Sequence, residues 1–411
     1  MSQVAQALLP VRGISTLQSA SGWAQSLPHA RNPKIASSQT QTFRKPPILA
    51  PAEVPVLLAL ATRALTHFAL DVTFRFRSMK MPKLSRLRKF AICAVSAFFS
   101  SIFSAPAQSQ QPASPTKTKI IIDTDIGDDV DDAFALGLAL NSPEVEVLGI
   151  TTAWGDTKLR ARMVDRLLVE TGNTQIPVAE GIVTKSTAPF SQARWAEAGP
   201  APKPHAAAVD FLLETIRQNP GAITLVGIGP LTNVGAAIDR DPAMFKKLHR
   251  VVIMGGSIRR HYDDLGFAPD RGPQPEYNIY SDVAAAQKLF TGGVPLYVMP
   301  LDSTQLKLDE EKRALLFRQS TPLTNALTLL YHQWGQQTPT LFDAMAVAYV
   351  IDPKLCPVTP FYIVVEKDGK TSAHNSAAPN ASACLESDSD QFFRFLLPRL
   401  MRGAATLTPT H

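Results

Sequence analysis

The chain has 411 residues, with 41 Lys+Arg against 35 Asp+Glu and a net charge of +6 at neutral pH. The surplus is local: residues 1–107 hold 13 basic and 2 acidic side chains, +11, and the remainder carries −5. The basic balance therefore belongs to the leader alone, which excludes a nucleic-acid footprint in the body of the protein.

Residues 1–78 are rich in Ala, Ser, Gln and Pro, with only a mildly apolar patch near 54–72. From Met79 or Met81 the pattern sharpens. Lys80, Lys83, Arg86, Arg88 and Lys89 precede the uncharged, largely apolar run Phe90–Phe103, and Ala105-Pro106-Ala107 follows. A basic segment, a short apolar run and an A-x-A site make a secretory signal peptide. The apolar run is short for a transmembrane helix. The expectation is an upstream extension over 1–78, a signal peptide over 79–107 and a mature chain from Gln108. That chain would be periplasmic or secreted and keep no membrane anchor. Cys93 leaves with the leader, so Cys356 and Cys384 remain. They can pair in an oxidising compartment or stay apart as buried thiols, and neither has zinc-ligand spacing.

Residues 108–118 read as a Gln/Pro/Ser/Thr linker, and 119–411 as one large α/β domain. Strand-like and helical runs then alternate: strand 119–123, helix 131–141, strand 145–152, helix 158–171, strand 176–179, helix 205–218, strand 222–228, helix 231–239, strand 249–255. This alternation predicts an open, mostly parallel, Rossmann-like sheet with helices on both faces. In such a sheet the active site lies beyond the carboxyl ends of the strands.

The first strand carries the chemistry. Ile120, Ile121 and Ile122 suit a strand buried on both faces, and six aspartates follow within ten residues: Asp123, Asp125, Asp128, Asp129, Asp131 and Asp132. Asp123 and Asp125 are two apart and share a side of an extended chain. Asp131 and Asp132 open an apolar helix whose dipole favours negative charge. That dipole cannot offset so many carboxylates, whereas a hard divalent cation could, since only oxygen ligands are offered. A solvated acidic helix cap is the simpler alternative.

Later strand ends repeat the theme. Asp156 follows Gly155 and suits either a site carboxylate or the N-cap of helix 158–171. Residues 222–235, AITLVGIGPLTNVG, give a strand, a Gly-rich turn through Gly227 and Gly229, and a helix opened near Pro230. VVIMGGS at 251–257 ends in paired glycines, where a ligand can approach the backbone. A loop over 258–275, with His261, leads to Glu276-Tyr277-Asn278-Ile279. Asp343 opens an apolar helix after Phe342. Trp195, Tyr331 and Trp334 are aromatic residues suited either to a ligand face or to packing on their own segments.

DTDIGDDVDDA resembles the N-terminal signature of the nucleoside hydrolases, and GPLTN, E-Y-N-I and the Asp343 segment resemble later motifs of that family in the same order. The resemblance spans roughly 119–350; the tail 351–411 adds little to it. The commoner signature is two residues shorter, so the terminal aspartate pair is placed on Asp131 and Asp132, with Asp128 and Asp129 as the alternative. The resemblance implies calcium held by Asp125, Asp132, Asp343 and the Thr232 main-chain carbonyl. It implies Asp125 as general base, and Asp123, Asp131, Asp156, Glu276 and Asn278 around the sugar. Family members usually have a further Asn upstream of the E-Y-N-I segment, where this loop has Asp270. One family branch has a histidine before the last aspartate as leaving-group acid. Phe342 places this chain with the branch that stacks an aromatic ring on a purine. Trp195 could supply the opposite face, and His261 is the alternative acid.

The reaction implied is calcium-dependent hydrolysis of ribonucleosides to ribose and free base, by a homo-oligomer acting on a small-molecule substrate, with purines preferred. Two rivals stand beside it. One is a magnesium-dependent phosphatase using the DTD aspartates, which lacks a supporting Lys and a later acidic pair in order. The other is a periplasmic calcium-dependent binder of nucleosides or sugars.

Overall fold

The computed structural model describes residues 116–263, 271–375 and 378–403, all within the unit Ser109–His411. The upstream extension, the signal peptide and Asp270 lie outside the described residues. The strands are β1 Thr118–Thr124, β2 Val145–Thr152, β3 Val178–Glu180, β4 Ala206–Ala207, β5 Ile223–Gly227, β6 Arg250–Met254, β7 Leu296–Met299, β8 Val358–Val365, β9 Thr371–His374 and β10 Ala381–Cys384. They form one sheet in the order β4-β3-β2-β1-β5-β6-β7-β10-β8-β9. β1 to β7 pair in parallel, β10 adds to β7 in parallel, and β8 pairs antiparallel with both β10 and β9.

β1 shows why the isoleucine run forms a central strand. Ile120, Ile121 and Ile122 are fully buried, and alternate residues serve opposite faces. Ile120 and Ile122 join the core packed by helices α1 (Asp131–Leu140), α2 (Thr157–Glu170), α7 (Pro322–Trp334), α8 (Ala344–Ile351) and α9 (Ser389–Leu400). Ile121 joins the core on the other face, with α3 (Ala208–Gln218), α4 (Thr232–Arg240) and α6 (Val283–Thr291). Each such burial contributes roughly 1.5–3 kcal/mol. A short helix, α5 (Tyr277–Ser281), precedes α6.

The strand order reverses at β1, which lies between β2 and β5. That reversal opens a crevice beyond the carboxyl ends of the strands, and the acidic turn after β1 sits there. The segment 351–411 contributes more than the sequence suggested. Its hairpin extends the sheet through β8, β9 and β10, and Cys356 and Cys384 are bonded to each other. Thr371 on β9 accepts from the Ser257 amide at 2.8 Å and donates to the Ser257 carbonyl at 2.8 Å, so the hairpin braces the loop after β6. Among the described residues no helix is long and apolar enough to cross a membrane.

Candidate active site

One cavity at the switch point collects groups from distant parts of the chain. Its walls include Asp125, Asp131 and Asp132 after β1, Ile228 after β5, Met254 at the end of β6, Glu276 at the N-cap of α5, Asn278 on α5, and Phe342 and Asp343 before α8. Asp128 and Asp129 also border it. Carboxylate oxygens of Asp131, Asp132 and Asp343 all lie within 4.8 Å of one another, and the three residues are buried. The pair leading into α1 is thus the one that lies beside Asp343. Asp128 is instead paired with Arg160 at 2.8 Å, and Asp129 accepts from the Val130 amide at 2.5 Å.

Local bonds orient these carboxylates. Thr124 donates its hydroxyl to Asp132 Oδ1 at 2.5 Å, and the Asp343 amide donates to Asp131 Oδ2 at 3.3 Å. Glu276 caps α5, accepting from the amides of Gly256, Asn278 and Ile279 at 2.8, 2.9 and 3.2 Å. Asn278 donates to the Met254 carbonyl at 3.2 Å. Gly229 is required for contact: a Cβ there would lie 2.7 Å from Asp125 Oδ1.

Burial dominates the electrostatics. It pushes Asp125 up to about 7, with the Arg160 charge opposing. Burial also raises Glu276 to about 7, against the three amides it accepts from. Asp131, Asp132 and Asp343 are raised well above the carboxylate range, first by burial and then by repulsion from neighbouring aspartates. Charges this close and this dry stay ionised together only with a cation among them.

Several expected site residues stand elsewhere. Asp123 is fully buried behind the cavity, its Oδ1 accepting from Thr151 at 2.5 Å and Asn233 at 2.8 Å. β1 ends at Thr124, so the same-side rule of an extended chain no longer links Asp123 to Asp125. Asp156 is exposed and caps α2 through the Leu159 amide at 3.0 Å. Thr232 opens α4 and donates its hydroxyl to Asp282 at 2.8 Å, while the strand-end residue bordering the cavity is Ile228. Trp195 is 2% exposed and packs under the Arg166 guanidinium at 4.3 Å, away from the cavity; Trp334 borders it instead. His261 does not line the cavity, but its neighbour Tyr262 does, with its ring edge-on to Phe342 at 5.9 Å. Trp334 is one of three aromatics that the sequence leaves open between a ligand face and packing, whereas Tyr262 and Ile228 carry no signal stronger than an aromatic in a loop and an apolar strand end.

Buried carboxylates gathered at the switch point of a parallel sheet make an all-oxygen site suited to a hard metal ion beside a ligand cavity, the layout of a hydrolytic enzyme site. The family model described as inosine-uridine preferring nucleoside hydrolase matches residues 120–394, beyond the 119–350 expected. The chain belongs to that family and is a hydrolase of N-glycosidic bonds. The pyrimidine-specific ribonucleoside hydrolase RihA of Escherichia coli O8 is 32% identical over 313 residues, covering 68% of this chain and 97% of the relative. Its counterpart in Citrobacter koseri is 31% identical over 316 residues, with 68% and 97% covered. A solved plant nucleoside hydrolase superposes with a TM-score of 0.62 at 27% identity, covering 70% of this chain and all of its own. Family membership sets aside the phosphatase and the non-catalytic binder.

Proposed function

We propose that this nucleoside hydrolase depends on calcium and prefers purine nucleosides. The observation that carries the reading is one cavity with buried carboxylates on one wall and Phe342, Tyr262 and Trp334 on another. The donor set is all oxygen, which fits a hard cation such as calcium. Asp125, Asp132 and Asp343 would hold it, with the main-chain oxygen of Ile228 in the place expected of Thr232. Calcium bound there would order the ribose diol and a water. Asp125 would take a proton from the attacking water as the new C–O bond forms at the anomeric carbon and the C–N bond to the base breaks, with oxocarbenium character in the transition state, and the departing base takes up a proton in turn. Asp131, Glu276 and Asn278 hold the sugar hydroxyls. Phe342 stacks on the departing base, and the aromatic wall keeps bulk water from it.

A panel of purine and pyrimidine nucleosides, assayed with calcium or with chelator, tests both parts. Phe342→Ala should lower kcat/KM for inosine more than for uridine, by about two- to tenfold, as expected for a stacking contact of ~0.5–1.5 kcal/mol. His261→Ala should cost much less. Equal losses on both nucleosides, or a larger loss from His261→Ala, would replace stacking by acid catalysis from the loop. A wild-type preference for uridine, in line with the names of the bacterial relatives, would overturn the purine part alone. Full activity in chelator would overturn the calcium part.

Export belongs to the same proposal. The basic segment, the apolar run and the Ala-Pro-Ala site support a periplasmic or secreted enzyme, and the bonded Cys356 and Cys384 suit an oxidising compartment. Intact-mass analysis of the native envelope fraction should find an N-terminus at Gln108. A cytoplasmic chain beginning at Met1 would refute export.

A further inference from the structure

Arg160 is absent from every motif above, yet it is the largest fully buried side chain described. It lies in the first turn of α2, and its guanidinium is spread over four acceptors. Nε donates to the Trp154 carbonyl at 2.7 Å. Nη1 donates to the carbonyls of Asp125 and, at 2.9 Å, Ile126. Nη2 donates to Asp128 Oδ2 at 2.8 Å. The Phe190 ring packs 5.0 Å from the guanidinium carbon.

These contacts fall on the turn that carries Asp125, a turn two residues longer than in the family's commoner signature. The turn follows β1 and precedes α1, so neither ladder nor helix satisfies its carbonyls. Other segments do. Arg160 takes those of Asp125 and Ile126; the Gln192 amide takes Gly127 at 3.1 Å; Ser191 Oγ takes Asp128 at 2.8 Å; Gln192 Nε2 takes Asp129 at 2.6 Å. Gly127 has φ +127°, and a Cβ there would collide with Phe190 at 2.1 Å. Five consecutive carbonyls are thus tied, and among the described residues Arg160 is the one that reaches the two nearest the Asp125 carboxylate.

We propose that Arg160 is the positioning residue of the active site, fixing the Asp125 carboxylate in the cavity by clamping the main chain of the 125–128 turn. The proposal rests on the reading of Asp125 as base and metal ligand. A planar fork bonds Trp154, Asp125, Ile126 and Asp128 at once, whereas a lysine ammonium is a compact point donor. Charge alone therefore cannot replace it. The Asp128 carboxylate holds the outer arm of the fork, and an asparagine oxygen there can still accept from Nη2.

Three variants of the full chain test the clamp: Arg160→Lys, Asp128→Ala and Asp128→Asn. Each is measured for kcat, KM, thermal unfolding and calcium binding by titration calorimetry. Arg160→Lys should lower kcat about 10- to 100-fold per folded molecule with KM nearly unchanged, the loss expected when a reacting group is misplaced by about an ångström. Its calcium affinity should fall in parallel, because Asp125 is shared between the two tasks. Asp128→Ala should move kcat and calcium affinity the same way by less, and Asp128→Asn should recover most of that loss. Arg160→Lys with wild-type kcat and calcium affinity would overturn the proposal. So would activity that falls only as the folded fraction falls. If Arg160→Lys does not fold, equal kcat and calcium affinity in wild type, Asp128→Ala and Asp128→Asn would overturn it. A wild type that hydrolyses nucleosides without calcium would instead sink the calcium reading, and the kcat comparison would still decide the clamp.

Discussion

Asp125→Asn should lower kcat about 10²- to 10⁴-fold, the usual worth of a positioned general base. Asparagine keeps the shape and an oxygen at that position but cannot take a proton from water. Asp125 is 7% exposed and borders the cavity with Asp132 and Asp343. Burial pushes it up to about 7 in the metal-free fold, and a cation bound beside it would keep it ionised and able to accept a proton. The same burial gives the variant a second signature. A charge that is costly to desolvate disappears, so metal-free Asp125→Asn should unfold at a temperature no lower than the wild type. Steady-state assays on a good nucleoside, paired with thermal unfolding in chelator, check both outcomes. A folded variant retaining kcat within about threefold of wild type would transfer the base role to another group.

Much of the fold is legible because it rests on short apolar runs with opposite jobs on their two faces. The isoleucines of β1 and the apolar runs of β2, β5 and β6 mark strands that the structure places within a residue or two of the expected bounds. β3 is displaced slightly toward the C-terminus, and the helix expected from 205 begins at Ala208 after the two-residue β4. The C-terminal hairpin was not legible. Val358–Val365 alternates buried and exposed residues like an edge strand, but its pairing with β10 and β9 is long-range, and no local pattern specifies it.

The site was legible where a residue's task is written in its own chain neighbourhood. Asp131 and Asp132 lead into α1 and Asp343 stands at the start of α8, whereas the cap that Glu276 makes on α5 was not legible in the sequence. Contacts between segments were not legible. Asp123 looks equivalent to Asp125 on an extended chain, yet Thr151 and Asn233 claim it because β1 ends one residue later. Trp195 and Trp334 are indistinguishable as loop-end aromatics. Only packing decides that Arg166 covers the first while the second reaches the cavity. Arg160 reads as one more helix cation, and its role exists only once α2 lies against the acidic turn.

Asp132→Ala and Asp343→Ala should each weaken calcium binding by about 10- to 100-fold or more, and hydrolysis should fall with it. Each substitution removes a charged oxygen from the cluster, a contact worth roughly 1.5–3 kcal/mol. Asp343 comes from 211 residues beyond Asp132 in the chain, so the cation would join two segments far apart in sequence. A cation would also reverse the pH behaviour. The buried carboxylates of Asp125 and Glu276 sit at about 7, above the ordinary unfolded values of about 4. The metal-free fold therefore binds more protons than the unfolded chain between about pH 4 and 7, and its stability falls as pH rises through that window. Calcium needs the ionised carboxylates, so its affinity rises over the same window, about tenfold per pH unit for each proton displaced. Calcium should accordingly raise the wild-type melting temperature more at pH 8 than at pH 5.5, and the increment should shrink in both alanine variants. Unchanged calorimetric affinity in both variants, or an increment independent of pH, would move the metal away from this cluster.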